Sequence, residues 1–256
     1  MATAVAEERA QPELGDEGHD WPAAEDLGRS ADGFSLARDL AAASDPIERA
    51  VAAHALGAMT DGNSAQAAEA VAVLSGMLRD AGDLHLEWSI ADALRLCSDE
   101  AAVEPLAALA GSSSASVRRT VAMGLELAMS EDLRPAGLAA LIRLSADPDG
   151  SVRDWATFAL AELDSSLPQV REALWARVED PHYNTRSEAL AGLAASGDRE
   201  VVDRVRAELE SDYVGRLIVQ AAVDLGDRRL LGALQALRGW WDVDLPLLER
   251  AIQASS

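Results

Sequence analysis

The chemistry in this sequence sits in eight side chains: Trp88, Asp92, Arg95, Arg119, Met123, Glu126, Asp154 and Phe158. Aromatic and Met side chains mixed with charges of both signs are the composition of a protein-binding hot spot, in which buried aromatics anchor the partner and charged neighbours set register. Trp88, Arg119 and Phe158 are the expected anchors. Other chemistries lack their residues. His19, His54, His85 and His182 are scattered, with no H-x-x-x-H or H-E-x-x-H spacing, so no metal site is expected. There is no Gly-rich phosphate loop and no G-x-S-x-G elbow. Cys97 is the single cysteine, which excludes internal disulfides and cysteine-clustered zinc. It stands in an apolar helical stretch and is expected to be a buried, inert thiol. No catalytic residue and no cofactor is expected, and the chain reads as a non-enzyme.

Composition narrows the partner. The chain has 256 residues with 44 acids and 22 bases, a formal net charge of −22, and every base is arginine. Nucleic acids and anionic membranes both demand cations, so neither is an expected partner. A protein with a basic surface is, because complementary charge favours association. The sequence leaves oligomeric state open. No apolar run approaches the length of a membrane span and the N-terminus has no signal-peptide core, so a cytoplasmic protein is expected.

The elements that must position the eight residues are read from a repeated phrase. Its clearest copies are SVRRTVAMGLELA (116–128), SVRDWATFALAEL (151–163) and NTRSEALAGLAAS (184–196). Weaker copies begin at Ile47, His85 and Val214. With Arg49, Glu87, Arg118, Arg153, Arg186 and Arg216 as origins, the third following position holds Ala, Ile or Val, the sixth Ala or Gly, and the seventh Leu or Val. Those offsets share one face of an α-helix. The opposite face carries offsets one, five and eight, which contain the eight candidate residues.

Aromatics make up only 4% of the chain, no strand-like alternation persists, and Ala and Leu favour helix, so an all-α fold is expected. Breaks in the pattern give paired helices, A then B. The A helices are expected over 34–43, 64–79, 100–110, 132–145, 168–179, 199–210 and 228–238. The B helices are expected over 46–59, 84–97, 115–129, 150–163, 183–195, 213–225 and 243–254. Stacking of such pairs buries a stripe that no single pair could bury. Residues 1–33, acidic and poor in large apolar side chains, are expected to be a disordered tail, with Trp21 its one aromatic. Trp155 is placed between repeats, Trp175 on the convex side, and Trp240 and Trp241 as a seal on the open end.

The phrase D-x-x-x-x-V-R-x-x-A-x-x-A-L resembles HEAT repeats, in particular the short bacterial PBS-lyase HEAT-like kind. Over residues 34–256 this implies a right-handed α-solenoid of about seven helix pairs with the B helices on the concave face. It also implies a ladder in which an acid six residues before the arginine pairs along the stack. Asp147 with Arg153 and Asp180 with Arg186 have that spacing, and Glu210 stands in for Asp before Arg216. The first three copies lack the acid. Most HEAT proteins are scaffolds, so the resemblance implies an adaptor, scaffold or regulator that binds a protein on its concave face. Alternatives are an inhibitor or immunity protein for a basic toxin or nuclease, or an enzyme on a HEAT scaffold. The bilin lyases and the alkylpurine DNA glycosylases are such enzymes. Trp88, Asp92, Arg119 and Asp154 superficially suit a glycosylase, but the net charge opposes DNA.

Overall fold

The computed structural model describes residues 1–3, 5, 22–30, 32–60, 64–80, 82–129, 135–163 and 167–256. Trp21 and most of the acidic tail lie outside them. From Pro22 onward the described residues form fifteen α-helices and no strand, an all-α solenoid repeat fold. They fall into two compact units, Met1–Leu144 and Ser145–Ser256.

The first unit holds α1 (Pro22–Gly28), α2 (Gly33–Ala41), α3 (Pro46–Ala58), α4 (Ser64–Met77), α5 (Leu84–Cys97), α6 (Val103–Leu109), α7 (Ala115–Ala128) and α8 (Pro135–Leu144). The second holds α9 (Gly150–Glu162), α10 (Pro168–Trp175), α11 (Tyr183–Ala195), α12 (Val202–Leu209), α13 (Arg216–Leu225), α14 (Leu231–Leu237) and α15 (Leu245–Ala254). The B helices stack on one another, α3 on α5 on α7 in the first unit and α9 on α11 on α13 on α15 in the second. Each is backed by A helices.

Helix starts follow the expected turn chemistry. Asp45, Asp83, Asp149 and Asp244 accept hydrogen bonds from the first free amides of α3, α5, α9 and α15, and Ser114 does so for α7. Asp198 and Asp227 cap short 3₁₀ turns that lead into α12 and α14. Gly197 and Gly226 precede them with φ of +78° and +51°, the left-handed conformation that ends a helix without a Cβ penalty.

The repeat's constant positions are packing. Every residue at the third and sixth offsets is buried, and so is the seventh except half-buried Val223. The sixth position is small because neighbouring B helices touch there. A Cβ on Gly192 would lie 2.6 Å from the Ala161 Cβ, and one on Gly124 would lie 3.2 Å from the Arg95 Cβ.

Two expectations need correction. The disorder expected over 1–33 does not extend to Pro22–Gly28, which is helix α1 and buries Ala24, Leu27 and Gly28 against α3. A Cβ on Gly28 would collide with the Ala55 carbonyl oxygen, at the sixth-offset position of α3. Thus α1 fills the place a preceding B helix would take. The apolar content of 22–28 is small, but so is the slot. Trp240 and Trp241 also do not act together as an end seal. Trp241 is buried and its Nε1 donates to the Val214 carbonyl at 2.7 Å, tying the last pair to the one before it, whereas Trp240 is 52% exposed.

The ladder exists with a changed register. Arg153 donates to the Asp147 main-chain carbonyl at 2.9 Å and grips Asp180 through two bonds of 2.9 and 2.8 Å. Arg186 donates to the Asp180 carbonyl at 2.6 Å, but its acid is Glu208, at 2.6 Å, not Glu210. Arg216 pairs with Asp244 at 3.0 Å. Glu210 is exposed and makes no rung, because it is the C-terminal cap of α12 and Glu208 on the preceding turn faces Arg186. In the first unit Arg49 donates to the Met77 carbonyl, Arg118 to the Ser112 carbonyl, and Ser112 to Glu87. Burial alone would raise the Asp180 carboxyl. The Arg153 hydrogen bonds, the His182 amide and the Arg177 charge outweigh it and hold the group below the ordinary carboxylate range.

Candidate functional site

The candidate residues divide between the two units: Trp88, Asp92, Arg95, Arg119, Met123 and Glu126 in the first, Asp154 and Phe158 in the second. All eight are half-buried on the exposed side of their B helices, so the helical phase read from the repeat holds for α5, α7 and α9. It fails for the first copy, where Ala50, His54 and Gly57 are buried. There α1 covers one flank of α3, and α5 presses on the other with Ala93, Leu96 and Trp88. The Trp88 ring lies 6.0 Å from the His54 ring.

In the first unit, Asp92 and Arg95 satisfy each other. Arg95 Nη2 and Nε donate to Asp92 Oδ1 at 2.7 and 3.0 Å across one helical turn, which removes most of their net field. Two leucines that the sequence reading passed over extend the apolar surface. Leu96 and Leu127 occupy the ninth offset of α5 and α7 and are 45% and 39% exposed. Nine steps of about 100° place them roughly 40° from the fifth offset, so helical geometry alone could have found them. Cys97 is buried at the end of α5, and burial pushes its thiol up to about 12, which fits the inert role.

In the second unit the face of α9 is acidic. Trp155 does not pack between repeats as expected. It is 37% exposed, with its ring edge-on to Phe158 at a centroid distance of 5.8 Å. Asp154, Phe158 and Glu162 form a row with one-turn spacing, and Glu188 of α11 comes close enough to Asp154 and Glu162 to feel both charges. None of these three carboxylates has an ion pair among the described residues. Asp154 accepts one long bond from Asn184, 3.4 Å to Oδ2, and its Oδ1 is buried without a hydrogen-bond partner. Burial raises the Asp154 carboxyl, with Asn184 and His182 opposing. Glu188 is pushed from its ordinary 4.5 to about 7, first by burial and then by the charges of Asp154 and Glu162. An aromatic ring bracketed by uncompensated carboxylates can receive a guanidinium or ammonium group through ion pairing and cation–π contact together.

Trp175 is half-buried and engaged rather than simply packed. Its indole donates to Asp198 at 2.9 Å, and Arg171 lies over its ring at 5.7 Å. Among the described residues no helix is long and apolar enough to cross a membrane.

This arrangement of stacked helix pairs, with a packing phrase on one face and variable residues on the other, defines an α-helical repeat scaffold. A sequence model for HEAT repeats matches residues 85–161, 103–183 and 136–223, together more than half of the chain, and the chain belongs to the HEAT-repeat family. Protein YibA of Escherichia coli K-12 is 32% identical over 124 residues, 48% of this chain and 43% of YibA, and YibA of Escherichia coli O157:H7 matches equally. The aligned stretch thus spans less than half the length of these relatives. The X-ray structure of the E. coli YibA protein superposes with a TM-score of 0.74 at 22% identity, covering 99% of this chain and 94% of that one. A designed armadillo repeat protein in complex with the peptide (KR)4 superposes with a TM-score of 0.54 at 16% identity, covering 87% and 99%. At these identities the structural likeness is one of fold.

Proposed function

We propose that this HEAT-repeat protein is a non-enzymatic binding module that holds a basic protein segment on the exposed face of its B helices. The observation that carries the reading is the group around Phe158. Three carboxylates, Asp154, Glu162 and Glu188, bracket an accessible aromatic pair, and none of them has an ion pair among the described residues. Folding gains nothing from crowding like charges. A cationic side chain from outside would offset the burial and the neighbouring charges of Asp154 and Glu162 that push the Glu188 carboxyl up. Trp88, Met123 and Arg119, with Leu96 and Leu127, supply apolar contact area on the first unit's B helices, where the charge balance is closer to neutral. The armadillo neighbour's (KR)4 peptide is the polycation that such a face suits, and it is the natural probe.

The test is calorimetric titration of (KR)4 into the protein and into two variants of equal net charge. One is Asp154→Asn/Glu162→Gln/Glu188→Gln. The other neutralises three exposed acids elsewhere, Glu69→Gln/Glu104→Gln/Glu172→Gln. The reading predicts about a tenfold or greater loss of affinity for the first and little change for the second. Equal losses would reduce the interaction to net charge and overturn the site.

A further inference from the structure

The edge formed by the loops between A and B helices at the end of the second unit carries a second surface, which meets the B-helix face at Leu217. Half of the large exposed apolar side chains found among the described residues fall within residues 213–245: Tyr213, Leu217, Trp240, Val243 and Leu245. Tyr213, Trp240, Val243 and Leu245 are each more than half exposed, at 66%, 52%, 64% and 53%. Exposed apolar side chains gathered on two neighbouring loops suit an interaction site better than chance exposure does.

Specific contacts tie the two loops together. Trp241 anchors the second loop on the first through its bond to the Val214 carbonyl, and Arg216 bonds Asp244 across the two at 3.0 Å. The Ser211 hydroxyl lies 2.7 Å from both the Glu208 and the Tyr213 carbonyl oxygens, and the Tyr213 ring rests edge-on against Tyr183 at 4.9 Å. Between the loops runs a cleft of about 440 Å³, with Leu209 to Asp212 on one wall and Ala236, Leu237 and Trp240 on the other. Leu209, Leu237 and Trp240 give it an apolar side, and its volume suits one branched or aromatic side chain.

The rim decides the occupant. Glu210 and Asp212 line the cleft, Asp242 stands in the second loop two residues after Trp240, and all three are exposed with no ion pair among the described residues. The nearby arginines are already committed, Arg216 to Asp244 and Arg238 to Glu249 at 2.6 Å. A second copy of this chain would bring the same three acids to the interface, and like charges brought together disfavour it. We infer that the cleft beside Trp240 docks a segment of another protein in which an apolar side chain is flanked by basic ones, the apolar group entering the cleft and the cations meeting Glu210, Asp212 and Asp242.

The test uses fluorescence anisotropy with two labelled peptides, acetyl-Arg-Leu-Arg-Leu-Arg-amide and acetyl-Arg-Gly-Arg-Gly-Arg-amide, of equal charge. The full chain should bind the leucine peptide more tightly. Trp240→Ser, at an exposed position, and Glu210→Gln/Asp212→Asn/Asp242→Asn should each weaken it about tenfold, bringing it level with the glycine peptide. Asp154→Asn/Glu162→Gln/Glu188→Gln should leave the leucine preference intact, which separates this surface from the B-helix face. Equal binding of the two peptides by the unaltered protein, or an unchanged leucine preference in Trp240→Ser, would overturn the proposal. So would concentration-dependent dimerisation in sedimentation velocity that Trp240→Ser abolishes, since the occupant would then be a second copy.

Discussion

Replacing Glu188 with Gln should stabilise the protein, and only above mildly acidic pH. The carboxyl is raised from 4.5 to about 7 by burial and by Asp154 and Glu162. A raised acid favours its protonated form in the folded state. The associated cost is therefore absent below the unfolded value, grows as pH rises through the window between 4.5 and about 7, and is complete above it. That displacement corresponds to about 3.4 kcal/mol at most, at roughly 1.36 kcal/mol per unit. The side chain keeps part of its contact with water, and screening reduces the expectation to about 1.5 kcal/mol. Gln keeps the shape and removes the charge. Urea unfolding followed by circular dichroism should show Glu188→Gln more stable than the parent by about that amount near pH 8, and by only a fraction of it near pH 5. Asp154→Asn should lower the Glu188 titration midpoint, read directly from its side-chain carboxyl carbon by NMR. A stability difference of the same size at both pH values, or a variant less stable near pH 8, would refute the electrostatic reasoning.

Asp180→Ala should cost about 3 kcal/mol in denaturant unfolding, because it strands Arg153, whose side chain is only 12% exposed, and frees the His182 amide. The Asp180 carboxyl is depressed, so its contribution is present above the unfolded value and lost as pH falls below it, and the gap between parent and variant should close in strong acid. Trp241→Phe removes a buried indole's bond to Val214 and should cost about 1–2 kcal/mol, whereas Trp240→Ser should stay within about 0.5 kcal/mol. Gly28→Val places a side chain against the Ala55 carbonyl and should lower stability by about 1–3 kcal/mol. A disordered tail would tolerate that substitution without change.

The fold was readable because packing constrains the same positions in every copy. Ala52, Ile90, Val121, Ala156, Ala189 and Val219 are all fully buried, so their spacing carried the helical phase directly. The exposed face of a B helix was readable only where that helix has ordinary neighbours on both sides. The phase that placed Asp92, Met123 and Phe158 correctly misplaced His54, because α1 is too short and too weakly apolar to announce itself beside α3. Trp155 lies on the second offset, which is buried in copies whose residue there is small, such as Ser89 and Thr120, and its bulk keeps it partly outside. The Asp92–Arg95 pair follows from three-residue spacing within one helix. The crowding of Glu188 does not, because it depends on Asp154 and Glu162 one repeat away. The ladder slipped from Glu210 to Glu208 for a similar reason: without the Asp-Pro turn used at Asp180, the loop before Arg216 sets a different register.

Hydrogen–deuterium exchange of the full chain with and without (KR)4 tests the central claim most directly, since it maps where a polycation rests. The account predicts new protection concentrated in α9 and α11, around Phe158 and Glu188, that disappears in Asp154→Asn/Glu162→Gln/Glu188→Gln. Protection confined to the A helices, or unchanged in that variant, would contradict it.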